Sequence, residues 1–83
     1  MNLFKLADIS KGRLFGASLN INGFSIDTRS IKNNDLFIAL KGENFDGHEF
    51  ISEAISKGAG ALVVHWSIQS DIPHILVDNT YEF

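Results

Sequence analysis

The amino-acid sequence predicts a small α/β domain, a mixed sheet with flanking helices that contains a βαβ unit. Three observations carry this expectation. Leu36 to Leu40 and Ala61 to Val64 are unbroken apolar runs of strand length, as in strands covered on both faces. Between them Phe50, Ile51, Ala54 and Ile55 recur at helical spacing. Strand, helix, strand in that order is a parallel pair joined by a crossover, expected to be right-handed.

The remaining elements follow in order. Leu3, Phe4, Leu6 and Ala7 have helical spacing, with Asn2 placed to cap the helix and Gly12 to end it. Its expected role is core packing. Arg13 to Gly16 and Leu19 to Ile21 read as short extended pieces, and Asn22-Gly23 as a hairpin-turn pair. Phe24-Ser25-Ile26 alternates as a strand. Asn33-Asn34-Asp35 reads as a turn with Asn34 in the left-handed position, which Asn tolerates better than most residues.

Asp46 marks the start of the main helix. With Glu49 it forms a D-x-x-E pattern, in which one carboxylate accepts an amide bond and the other returns it. Gly58 fits the left-handed position after that helix. Ser67 to Pro73 is a polar connection with room for a helical turn, and Ile75-Leu76-Val77 is a last short strand. No internal repeat is visible.

Composition narrows the function classes. A chain of 83 residues makes one domain, and one of this size buries a little over ~60% of its unfolded surface. With 45% hydrophobic residues it still has the material for a core. A net charge of −3 argues against a general nucleic-acid binder, which needs a basic face. It leaves room for one anionic small molecule, because a single Arg or a few amides can hold it locally. The absence of Cys points to a reducing compartment. Met1 to Lys5 lack the pattern of a signal peptide, and the longest apolar run, Ala59 to Val64 counting Gly60, is too short to cross a bilayer. The expectation is a cytoplasmic protein without membrane insertion.

Two places could carry chemistry. Asp27-Thr28-Arg29-Ser30 ends a strand. Asp27 is expected to shape the turn by bonding nearby amides. The Thr28 hydroxyl and the Arg29 guanidinium suit a phosphate or a polar heterocycle. Arg29 stays open between a ligand contact and a structural pair with Asp27 or Asp35. Lys41-Gly42-Glu43-Asn44-Phe45 follows a buried strand, and loops at strand ends of α/β sheets are frequent ligand sites. Gly42 permits close backbone approach, Asn44 offers donor and acceptor for a uracil-like edge, and Phe45 offers a flat apolar wall. The competing reading is an ordinary connection with Phe45 tucked into the core.

Other patterns are missing or weak. His48, His65 and His74 do not join any tight metal-ligand spacing, so no metal is expected. The sequence has no G-x-x-x-x-G-K-[ST] phosphate loop, and Lys57-Gly58-Ala59-Gly60 follows a helix rather than opening one. Trp66 is expected to be at least partly buried. No residue is assigned a catalytic role.

The ordered set of motifs resembles the Mur ligases, the ATP-dependent amide-forming enzymes of peptidoglycan precursor synthesis. It runs through Asp27-Thr28-Arg29, Asn34-Asp35-Leu36-Phe37-Ile38-Ala39-Leu40-Lys41-Gly42, Asp46-Gly47-His48-Glu49-Phe50-Ile51, and Ala54 to Val64. The resemblance covers roughly residues 24 to 78. It departs at Asn34, where the family has Gly; both accept a left-handed turn. Within the family, the stretch Ala39 to His48 is most similar to the member that adds D-alanyl-D-alanine to UDP-N-acetylmuramoyl-tripeptide. The sister that adds the third amino acid is the alternative.

The resemblance implies an N-terminal domain that binds the UDP part of UDP-N-acetylmuramoyl-tripeptide. A central ATPase and a C-terminal domain, both missing from this chain, would use ATP and Mg. The end of the chain near Asp78-Asn79-Thr80 looks like a cut at a domain boundary, so the chain alone is expected to be inactive. By position, the UDP-substrate-binding residues are Ile26, Thr28, Glu43, Asn44 and Phe45, with Arg29 as a further candidate. Two rival readings are a freestanding interaction module that lost its ligand and a small hydrolase using His48 with Asp46 or Glu49.

Overall fold

The computed structural model describes residues 2–40, 46–78 and 80. Its elements in chain order are helix α1 (Leu3–Ser10), β1 (Arg13–Phe15), β2 (Phe24–Ser25), a 3₁₀ turn (Thr28–Ser30), β3 (Leu36–Ile38), a second 3₁₀ turn (Gly47–Phe50), α2 (Ile51–Ser56), β4 (Ala61–Val64) and β5 (His74–Leu76). They form one five-stranded sheet in the order β1-β5-β4-β3-β2. β2, β3, β4 and β5 run parallel, and β1 lies antiparallel against β5. The sheet is therefore mixed. The βαβ unit is β3–α2–β4, with Leu36 opposite Ala61 and Ile38 opposite Val63.

Alternation along the central strands builds two cores. Successive side chains point to opposite faces. Leu36, Ala61, Val63 and Ile75 fall on one face with Leu3 and Ala7 of α1. Phe37, Leu62 and Val64 fall on the other with Ala54 of α2. Every residue of β4 is buried, as its unbroken apolar run requires. Full burial of a side chain such as Phe37 or Leu62 contributes ~1.5–3 kcal/mol.

Helix α1 is capped as expected, the Asn2 side chain accepting from the Lys5 amide. Its left-handed end residue is Lys11 (φ 59°) rather than Gly12. Gly12 is needed for a different reason: a Cβ there would sit 2.6 Å from Ile75 Cγ2. The left-handed positions at Asn34 (φ 68°) and Gly58 (φ 106°) stand where the sequence puts them.

Several local expectations give way. Asn22-Gly23 makes no hairpin, because β1 pairs with β5 and β2 pairs with β3. The segment stays extended instead and joins the edge of β3, with the Leu36 amide donating to Gly23 O at 2.9 Å. Leu19 to Ile21 contribute only a bridge between Asn2 and Asn20 rather than a strand. The stretch beginning at Asp46 opens as a 3₁₀ turn before becoming α-helical at Ile51. Its cap is also different. Asp46 accepts from the His48 amide, and the His48 ring, not the Glu49 carboxylate, closes on it. Residues 67–73 hold no helix. No helix of the described residues is long and apolar enough to cross a membrane.

Candidate functional site

The parallel strands put the carboxyl ends of β2 and β3 side by side, the position where open α/β sheets usually bind ligands. A pocket of about 500 Å³ opens there. Ile26, Phe37, Leu40 and Phe50 form its apolar wall, and Asp27, Thr28, Arg29 and Glu53 give it polar groups. Such a mixture of flat apolar surface and few polar groups suits a small molecule with a ring at one end.

The chain leaves β2 into a tightly bonded turn. Ser25 is buried, and its hydroxyl donates to Asp27 O at 2.7 Å. The Ser30 hydroxyl bonds the same carbonyl at 3.0 Å. Asp27 caps the 3₁₀ turn by accepting from the Arg29 amide at 2.9 Å. These bonds fix Thr28, itself buried, against the pocket.

Arg29 resolves in part the choice left open by the sequence. Its Nε lies 3.1 Å from both Asp27 carboxylate oxygens, and Nη2 lies 2.7 Å from Oδ2. Asp35 instead accepts from the Lys32 amide at 2.9 Å. The bonds from Arg29 hold the Asp27 carboxyl down at about 2, and the carboxylate raises the guanidinium in return. The Arg29 side chain is 86% exposed, so the pair adds little to stability. The pairing uses one edge of the guanidinium and leaves Nη1 turned to neither carboxylate oxygen. That geometry keeps Arg29 able to meet a phosphate.

The structure thus brings Ile26, Thr28 and Arg29 to one pocket. Glu43, Asn44 and Phe45, with Gly42, lie outside the described residues. Four lining residues escaped the sequence reading. Phe50 sits in a helical stripe that reads as core, Phe37 and Leu40 read as strand interior, and Glu53 stands in no motif. The available signal was Gly47. It is buried, and a Cβ there would lie 2.9 Å from Ala39 Cα. So close an approach folds the second 3₁₀ turn onto the end of β3 and brings Phe50 to its edge.

A second cluster lies at the ends of β3 and β4. The His48 ring stacks on Trp66 at 3.8 Å between centroids, and Trp66 is 41% exposed. Asp46 and the His65 amide occupy the two ring nitrogens of His48. With both engaged, the ring has no free lone pair for a general base, which removes the basis of a hydrolase reading. Among the described residues no group of three or more His, Cys, Asp or Glu is placed to hold a metal.

Comparison with known proteins agrees with the motifs. The model of the Mur ligase family, catalytic domain, matches residues 20–80. The UDP-N-acetylmuramoyl-tripeptide--D-alanyl-D-alanine ligase of Escherichia coli is 41% identical over 80 residues, which are 96% of this chain and 18% of that protein. The enzyme of the same name from Buchnera aphidicola is 45% identical over 80 residues, with the same coverage. A crystal structure of MurF from Acinetobacter baumannii superposes with a TM-score of 0.79 at 27% identity, covering 93% of this chain and 18% of that one. MurF ligase from Thermotoga maritima, solved in complex with ADP, gives a TM-score of 0.59 at 36% identity over 69% of this chain and 13% of that one. The chain spans about 18% of the length of the first two relatives. With a family model matched from residue 20 to residue 80 and such identity along nearly its whole length, the chain belongs to the Mur ligase family.

Proposed function

We propose that this chain is the N-terminal domain of an ATP-dependent ligase that joins D-alanyl-D-alanine to UDP-N-acetylmuramoyl-tripeptide, and that it binds the UDP part of that substrate. One observation carries the reading: Ile26 and Thr28, which the family resemblance implies as substrate contacts, line a pocket at the carboxyl edge of the parallel strands. Relatives named for this ligase support the choice of substrate. Ile26 and Phe50 would pack on the uracil. Thr28 would hydrogen-bond a polar group, and the outer edge of Arg29 would meet the diphosphate. Glu43, Asn44 and Phe45 follow in sequence from Leu40, a pocket residue, and would complete the site.

No phosphate loop of the G-x-x-x-x-G-K-[ST] pattern occurs in the chain, so it does not by itself hold ATP in that manner. ATP and Mg are assigned to a central domain, acting with a C-terminal domain beyond this chain. The reading places the protein in the cytoplasm, among the enzymes of cell-wall construction.

Isothermal titration of the chain with UDP tests the proposal. Weak binding is expected, since contacts from other domains are lost. Loss of that binding in Thr28→Ala plus Asn44→Ala supports the site. Unchanged affinity in the double variant removes it.

A second reading has its own support. The UDP-N-acetylmuramoyl-L-alanyl-D-glutamate--2,6-diaminopimelate ligase of Aquifex aeolicus is 42% identical over 60 residues, 72% of this chain. The chain would then serve the sister enzyme that adds the third amino acid. Assaying the whole protein with the dipeptide and the tripeptide precursors separates the two.

A further inference from the structure

His48 does not line the pocket, and the proposed function makes no use of it. Its side chain is only 4% exposed. Nδ1 lies 2.7 Å from Asp46 Oδ1, and Nε2 takes the His65 amide at 3.1 Å. A backbone N–H can only donate, so Nε2 must present its lone pair. Nδ1, facing a carboxylate oxygen, must carry the proton. The ring is therefore held as the neutral Nδ1–H tautomer. Trp66 covers one face, and the His65 ring meets its edge at 4.7 Å and 77°.

These bonds join two strand ends. His65 follows β4 directly, and Gly47 packs on the end of β3. The Gly47 amide donates to Leu40 O at 2.6 Å, and a Cβ on Gly47 would lie 2.8 Å from Leu40 N. Gly47 thus clamps the Gly47–Phe50 turn to β3, while His48 ties the same turn to β4. Two residues past His48 stands Phe50, a wall of the pocket. A turn held at two points cannot pivot about either of them, so the position of Phe50 depends on both.

We propose that His48 is a positioning residue for the pocket: as the Nδ1–H tautomer it ties the Gly47–Phe50 turn to the carboxyl end of β4 and thereby sets where Phe50 stands. The binding arm of the test rests on the UDP reading; the spectroscopic arm does not.

The test uses the isotope-labelled 83-residue chain. Long-range proton–nitrogen spectra should show His48 protonated at Nδ1 and bare at Nε2, with slow exchange of the His65 amide. His48→Phe keeps a ring against Trp66 and removes both nitrogens. It should lose the His65 amide protection, shift the Phe50 ring resonances and weaken UDP binding on the order of tenfold. His48→Gln, whose carbonyl can take the His65 amide, should recover the protection and most of the affinity. If His48→Phe fails to fold, His48→Asn replaces it, since Asn can serve Asp46 but falls short of the His65 amide. An Nε2–H tautomer overturns the proposal. So does a His48→Phe or His48→Asn variant with unmoved Phe50 resonances. If the unaltered chain ignores UDP, the functional reading fails, and the tautomer and Phe50 signals still decide the role of His48.

Discussion

Asp27 holds Arg29 by both its backbone and its side chain. One carboxylate caps the turn at the Arg29 amide and grips the guanidinium edge-on, with Nη2 at 2.7 Å. A cation that lines the pocket is therefore held in one orientation by its neighbour two residues back.

This pairing sets a pH dependence. The Asp27 carboxyl is lowered from the usual 3.8 to about 2, first by the Arg29 side chain and then by its amide. A depressed carboxyl adds stability above its unfolded value and loses it as pH falls through the folded one. The contribution should therefore fade between pH 3.8 and about 2. It should be small, because the pair is exposed. Carboxyl-carbon NMR titration should give an Asp27 midpoint near the lower end of that window, and Arg29→Ala should raise it.

Phe50→Ala separates binding from folding. The residue is 36% exposed yet lines the pocket. Truncation should lower thermal stability by only about 1 kcal/mol. UDP affinity should fall several-fold, with base stacking worth ~1–3 kcal/mol in comparable contacts. Calorimetric melting and titration on the same sample check both halves.

Gly58 and Asn34 both have positive φ but should respond differently to substitution. A Cβ at Gly58 would lie 3.3 Å from Asn33 Cα, in a backbone conformation with φ 106°. Gly58→Ala should destabilise the fold by ~1–2 kcal/mol. Asn34→Gly, which restores the residue expected from the family pattern, should stay within ~0.5 kcal/mol of the original. Urea unfolding midpoints with unchanged slopes would verify both.

The contrast between these residues explains what was legible in the sequence. Asn34, Gly58 and the cap at Asn2 obey local rules, because one φ angle or one amide bond decides them. The run Ala61 to Val64 was legible because all of β4 is buried and apolarity alone specifies that. Asn22-Gly23 misled because its hairpin signal is local, whereas the partner of β2 is chosen by the Leu36–Ile38 strand. The pairing of Arg13 with Leu76 joins residues far apart in the chain, and no local pattern encodes it.

The pocket was half legible for a related reason. Thr28 and Arg29 belong to a motif at a strand end, and the family resemblance adds Ile26 just before it. Phe50 and Glu53 reach it from the second 3₁₀ turn and α2. Helical spacing tells which side of a helix is apolar, but not which end of the sheet that side overhangs.

The central claim is tested most directly by titrating the isotope-labelled chain with UDP and following every backbone amide. The largest shifts are expected at Ile26, Thr28, Arg29 and Phe50, fading toward β1 and β5. Shifts concentrated at β1 and β5, with those four amides unmoved at saturation, would contradict it.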